Sequence, residues 1–242
     1  MPTLDSNIME LVAGSLIMVL GATLQASVGY GLALAVVPLL ALINPDFIPG
    51  PMLFASLFLA LIMSFRGWSA IDRGQLIHAF IGLLLGTGAG VAGLMFIAPQ
   101  NLPKLFGVFI LIAVALSLSG IRVPLSKGSL VAAGTISGVM GTMVGIHGPP
   151  MALLYQRQPG ATVRGTLALF FVAGYAVALG ALFSIRLFSA RELVLGLGLA
   201  PGVLVGYVFS RFVAGYLDRG FWLRGAILTI ATLSALALLF KS

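Results

Sequence analysis

The sequence predicts an all-α polytopic membrane protein made of two repeats of about four hydrophobic segments, each repeat opened by a broken or re-entrant helix. Three observations carry this. Of 242 residues, 60% are hydrophobic and only 8% charged, with a mean hydropathy of +1.15. A soluble domain carries roughly 25% charged residues to cover its surface. Polar punctuation divides the chain into apolar runs, most of them close to the ~20 residues that cross a bilayer. Features of the first half also recur in the second half at a fixed offset.

The first four runs cover Ile8 to Ile43, Ile48 to Phe65, Leu76 to Ala98 and Leu105 to Gly120. The second four cover Gly128 to Tyr155, Val163 to Ile185, Leu193 to Phe212 and Phe221 to Phe240. The N-terminal "MPTLDSNIME" lacks the basic n-region of a cleaved signal peptide, so the first run is expected to remain in the mature protein. The first and fifth runs are the long ones, and both are interrupted by glycines and polar residues.

Val28-Gly29 recurs as Val144-Gly145, an offset of 116, in the middle of these two interrupted runs. At the same offset Gly82, Gly86 and Gly90 recur as Gly198, Gly202 and Gly206. Residues 1–122 and 123–242 therefore read as two transmembrane repeats forming one integral membrane domain. The glycine ladders are small-xxx-small faces, which let helix backbones approach closely, and left unpaired they could support a homodimer.

Thirteen Lys and Arg against six acids give a formal charge of +7. The basic residues stand singly between apolar runs, as topology signals and headgroup anchors rather than as a nucleic-acid surface. If every run crossed once, they would divide almost evenly between the two sides. If each broken run returns to its own side, Arg66, Arg73, Arg122, Lys127, Arg157, Arg164, Arg211, Arg219 and Arg224 share one side. Only Lys104, Arg186, Arg191 and Lys241 then face the other, together with Asp5, Glu10 and Asp46. Three crossings per half would invert the second repeat relative to the first, and the charge bias favours this arrangement.

The broken runs carry the candidate site. The first reads "GATLQASVGYGLALAVVP", with Gln25 and Ser27 preceding the break at Gly29-Tyr30-Gly31. The second reads "GTISGVMGTMVGIHGPPMALLYQ", with Thr142 preceding Gly145-Ile146-His147-Gly148 and Pro149-Pro150 following. Proline is favourable in the first turn of a helix, so Pro149 is expected to open a new half-helix after a flexible joint at Gly148. Free N–H groups at such a start, with the positive end of the helix dipole, suit an anion. Gln25 and His147 would add hydrogen-bond donors. Ser27 and Thr142 can equally bond back to their own helices, and Tyr30 is either a gate or packing. His78, near the start of its run, reads as structural.

The acids Asp5, Glu10, Asp46, Asp72, Glu192 and Asp218 all fall in tails, loops or run ends. A mid-membrane carboxylate relay, or a cation substrate, would lack its partner. His147 is the remaining proton-coupling candidate, poised to change charge near pH 6.5. The absence of cysteine removes disulfides, thiolate metal sites and sulfur-relay chemistry, and nothing calls for a metal or cofactor.

At these residues the sequence resembles the TauE/SafE family of sulfite and organosulfonate exporters, also called the toluene sulfonate uptake permease family. The likeness spans nearly the whole chain and rests on "QASVGYGLALAVVPLL" and "SGVMGTMVGIHGPPMALLY". Two departures stand out: Tyr30 separates Gly29 from Gly31, where the family often has three glycines, and His147 occupies a position where glycine or serine is expected. The resemblance implies a multi-pass protein of the bacterial inner membrane that moves small anions, often sulfur oxyanions or sulfonates. The leading expectation is thus a secondary carrier, not an enzyme, binding a small anion through Gln25, Ser27, Gly29, Tyr30, Gly31, Thr142, Gly145, His147, Gly148 and Pro149. The alternatives are an intramembrane hydrolase using Ser27 and His147, or a channel-like anion facilitator. No phosphate-binding loop supports primary active transport.

Overall fold

The computed structural model describes the backbone of residues 4–217 and 221–240, and their side chains except at 4–7, 99, 214–217, 221–224 and 226–227. The side chains of Asp5, Arg219, Arg224 and Lys241, which enter the charge bias, and of Asp218 lie outside the described residues. The described chain is all-helical. Four helical segments are long and apolar enough to cross a membrane: Ile8–Val28, Arg73–Phe96, Gly160–Ser184 and Ala190–Val213. The protein is a multi-pass membrane protein.

Helix α1 (Leu4–Val28) runs into two glycines with left-handed backbone, Gly29 at φ 99° and Gly31 at φ 110°. That geometry costs a side-chain-bearing residue about 1–2 kcal/mol, so the helix ends here and α2 (Leu32–Ile43) starts afresh. The pair forms a hairpin. A Cβ on Gly21 would overlap the side chain of Val36, and Asn44 Nδ2 donates to Glu10 Oε2 at 2.7 Å, so the end of α2 returns to the beginning of α1.

The second broken run repeats this logic in shorter form. A capping box of Ser126 and Ser129 starts α6 (Lys127–Val144), and Gly145, at φ 81°, ends it. Helix α7 (Gly148–Tyr155) then heads back, and Gln156 Nε2 donates to the Ile121 carbonyl at 3.1 Å, just before α6 begins. Gly148 is not the joint the sequence suggests. The left-handed turn is made by Gly145, because the rings of Pro149 and Pro150 fix a helical φ that lets α7 begin one residue before Pro149.

The remaining helices are α3 (Gly50–Arg66), α4 (Arg73–Phe96), α5 (Leu102–Leu118), α8 (Gly160–Ser184), α9 (Ala190–Leu217) and α10 (Phe221–Phe240). Helices α3 and α8 pack antiparallel, with Gly67 against Gly165 at one end and Gly50 against Phe188 at the other. The loops after α3 and before α8 therefore share an end, which the Asp72 N–H seals by donating to Thr166 Oγ1 at 3.0 Å. This basic end carries Arg66, Arg73, Arg122, Lys127, Arg157, Arg164 and Arg211, with Asp72 as its acid among the described side chains. At the opposite end Asp46 pairs with Arg191 at 2.6 Å.

Single cysteines at Ser69 and Thr162 should thus react with an impermeant maleimide from the same face of sealed vesicles. Labelling from opposite faces would refute the antiparallel α3–α8 pairing.

The glycine ladders are consumed inside the chain, and this corrects the expectation of a glycine-mediated homodimer. Cβ atoms on Gly82 and Gly86 of α4 would overlap the carbonyls of Val131 and Thr135 on α6. Those on Gly202 and Gly206 of α9 would overlap the carbonyls of Ser15 and Val19 on α1. Val131 and Thr135 follow Ser15 and Val19 by 116 residues, but Gly202 and Gly206 follow Gly82 and Gly86 by 120. By packing, Gly82 answers to Gly202 and Gly86 to Gly206. The equal-offset pairing of the ladders is one helical turn out, because a four-residue glycine spacing matches itself after each turn.

Candidate functional site

The two hairpins enter from opposite ends and overlap at their tips. Gly29 lies against Arg164 near the start of α8, towards the basic end, and Gly145 lies against Met52 near the start of α3, towards the opposite end. Each tip has passed the other. A Cβ on Gly148 would stand 3.8 Å from the Tyr30 Cβ and 3.7 Å from Phe171 Cζ.

Between the tips is a cavity lined by Gln25, Gly31, Ala33, Leu34, His147, Gly148, Pro149, Phe171 and Tyr175. It lies beside the middle of α8. The space leaves about 10 Å³ for the centre of a water molecule, roughly one water. The cavity is closed in this structure, with room for little more than a water.

His147 is held by shape. Its ring lies over Gly141 of α6, where a Cβ would overlap three of the imidazole atoms, and against Gly174 of α8, where a Cβ would stand 2.8 Å from Cδ2. The Tyr175 ring meets it edge-on, with centroids 5.2 Å apart, and stacks on Phe171 at 5.8 Å. The Tyr175 hydroxyl in turn lies close to the Gln25 side-chain amide. His147 is 1% exposed and Gln25 2%.

Neither His147 ring nitrogen nor Gln25 Nε2 has a hydrogen-bond partner. Buried polar groups are paired in the large majority of cases, and an unmade bond costs about 1–3 kcal/mol. Two such side chains converge from opposite hairpins on one cavity, and their nearest polar neighbours, the Tyr175 hydroxyl beside Gln25 and the Gly145 and Gly174 backbone beside His147, make no well-formed bond to these nitrogens.

Backbone adds more donors. The first intrahelical bond of α2 runs from the Ala35 N–H to the Gly31 carbonyl at 3.3 Å, so the N–H groups of Leu32, Ala33 and Leu34 precede it. Two of these residues line the cavity. On the other side Pro149 and Pro150 offer no N–H, which leaves Gly148 to represent the start of α7. No carboxylate is among the lining residues.

Of the residues singled out in the sequence, the structure brings Gln25, Gly31, His147, Gly148 and Pro149 to the cavity. Ser27 is not a lining residue: its Oγ donates to the Thr23 carbonyl at 2.8 Å within α1. Thr142 is fully buried against Gly90, with its hydroxyl unpartnered. Gly29 and Gly145 shape the turns without lining the cavity, and Tyr30 packs beside Gly148. Ala33, Leu34, Phe171 and Tyr175 were not foreseen from the sequence. Nothing in the residue order sets Phe171 and Tyr175 apart, because the same helix also carries Phe170 and Phe183.

Helical hairpins whose half-helix starts face a buried polar cavity, in a multi-pass membrane protein, are the arrangement of a membrane transporter. The profile of the family described as Sulfite exporter TauE/SafE matches residues 14–238, nearly the whole chain. The protein belongs to the TauE/SafE family. Comparisons with curated proteins and with solved structures found no match.

Proposed function

We propose that this protein is a secondary carrier exporting a small sulfur oxyanion, sulfite or an organosulfonate, across a bacterial inner membrane. The observation that carries this is the unpartnered donor set, Gln25 from the first hairpin and His147 from the second, in a cavity lined by no acid. Such a set repels cations and welcomes an oxyanion. Residues 1–122 and 123–242 act as inverted repeats about this site. Support comes from the element order, since each half reads hairpin, then three helices, and from the reciprocal packing of α1 on α9 and α4 on α6. Carriers of this architecture bind substrate at discontinuous helices between repeats.

The substrate site comprises Gln25, His147 and the N–H groups at Ala33, Leu34 and Gly148. Because the cavity is closed, binding needs the hairpin tips and α8 to part, as alternating access requires. The test is counterflow in proteoliposomes. Preloaded sulfite should drive saturable uptake of labelled sulfite, and Gln25→Ala should raise the half-saturating concentration about tenfold, as loss of a hydrogen bond to a charged group predicts. Uptake linear in concentration and without counterflow would refute a carrier.

His147 also couples protons in this reading. Tyr175 is the titratable group facing it from α8, while Gln25 on α1 and Gly141 on α6 supply none. The incoming anion is then the counter-charge, and proton and anion bind together. With a small sulfonate, whose charge is constant over this range, affinity should rise up to about tenfold as pH falls from about 7.5 to about 5.5. His147→Gln should flatten that profile. An unchanged profile in His147→Gln would assign the coupling elsewhere.

A further inference from the structure

Helix α8 carries more than the aromatic wall of the cavity. Arg164, Phe171 and Tyr175 are spaced i, i+7, i+11, which places them within about 20° of one line along the helix. Arg164 lies roughly 10 Å along that line from Phe171, towards the basic end. Its stem is pressed against the tip of the first hairpin: a Cβ on Gly29 would stand 3.0 Å from Arg164 Cγ and 3.1 Å from its Cα.

The Gly29 N–H in turn donates to the Gln25 carbonyl at 2.7 Å, so Arg164 touches the turn that holds Gln25. Three other arginines of the basic end are engaged, Arg66 donating to the Tyr207 hydroxyl, Arg73 lying over Trp68 and Arg211 over Tyr207, while Arg122 and Arg157 are exposed. Arg164, half-buried, makes no ion pair or hydrogen bond among the described residues, and its guanidinium folds back over Gly160.

We infer that Arg164 is a second, outer anion-binding residue, which receives the oxyanion at the basic end and passes it to the Gln25–His147 site when Phe171 and Tyr30 part. This rests on the transport reading given above. A guanidinium presents a planar fork of N–H donors that matches two oxygens of an oxyanion. A basic face of low opposing charge also raises the local anion concentration. A topology anchor alone would require neither the stem packed against Gly29 nor the alignment with the cavity-lining face of α8.

The test uses sulfite counterflow at the basic face for wild type, Arg164→Gln, Arg164→Lys and Arg157→Gln. Arg164→Gln should raise KM about tenfold and leave the saturating rate within twofold. Arg164→Lys should recover most of the loss, and Arg157→Gln, which removes the same charge from an exposed position in the same region, should stay within twofold of wild type. Melting temperatures of the purified variants separate misfolding from a local effect, and the Lys variant preserves the test should the Gln variant fold poorly. A wild-type KM in Arg164→Gln, or an equal rise in Arg157→Gln, would overturn the assignment while leaving the carrier intact. Failure of the wild type itself to show counterflow would overturn the carrier and this assignment together.

Discussion

Gly86→Leu is expected to lower the melting temperature of the detergent-purified protein by about 6–12 °C and to cut its yield in membranes. The Gly86 Cα sits on the Thr135 backbone, and any Cβ there would overlap the Thr135 carbonyl oxygen. Backbone cannot swing aside as a flexible side chain does. The α4 and α6 helices must separate along a seam that also includes Gly82, Gly134 and Gly138. Overpacking costs about 1–3 kcal/mol and occasionally more, an overlap with backbone stands at about 3 kcal/mol, the top of that range, and each kcal/mol moves a chain of this size by about 2–4 °C. Two residues along the same helix, a Cβ on Gly88 would meet no atom within 4 Å. Gly88→Leu should leave the melting temperature unchanged within about 2 °C, and equal effects at both positions would show that the seam is not where the close approach lies.

Gly141→Ala is expected to weaken sulfite binding about a hundredfold with a much smaller effect on melting temperature. The added methyl occupies the position of the His147 imidazole, which must leave its seat between Gly141 and Gly174. The anion then loses a charge-assisted donor, worth about 1.5–3 kcal/mol, and meets a displaced ring inside the cavity. Gly174→Ala should have a weaker effect in the same direction, since its Cβ would stand 2.8 Å from the ring and a small shift relieves it. The cause is checked by a double-mutant cycle. In a His147→Ala background there is no imidazole to displace, so Gly141→Ala should add little. Additive losses, measured by calorimetric titration with sulfite, would mean that Gly141 acts through something other than His147.

Much of the architecture was legible in residue order. Gly29, Gly31 and Gly145 interrupt apolar runs because a left-handed turn excludes side chains, and those breaks located both hairpins. Proline and glycine around His147 marked the second tip, and Gln25 stood out as an amide that hydrocarbon does not tolerate unpartnered. What stayed hidden depended on which surfaces face each other. A glycine every four residues looks alike whether it packs on a second copy or on its own chain, so the α4–α6 and α1–α9 pairings were not readable, nor was the register that joins Gly82 to Gly202.

Hydroxyls were ambiguous for a similar reason. Ser27 can satisfy itself on the Thr23 carbonyl of its own helix, and it does so. Phe171 and Tyr175 were missed because aromatic residues in an unbroken apolar helix carry no sign of facing a polar cavity. Only the third dimension places α8 beside both tips.

The central claim is that one oxyanion is held jointly by the two hairpins, and an anomalous diffraction measurement tests it most directly. Crystals grown with selenite, the heavier analogue of sulfite, should show one dominant anomalous peak in a cavity opened beyond its present size. That peak should lie within hydrogen-bond reach, about 3 Å, of both Gln25 Nε2 and an imidazole nitrogen of His147. A dominant peak that contacts one hairpin alone, or none between the tips, would contradict it.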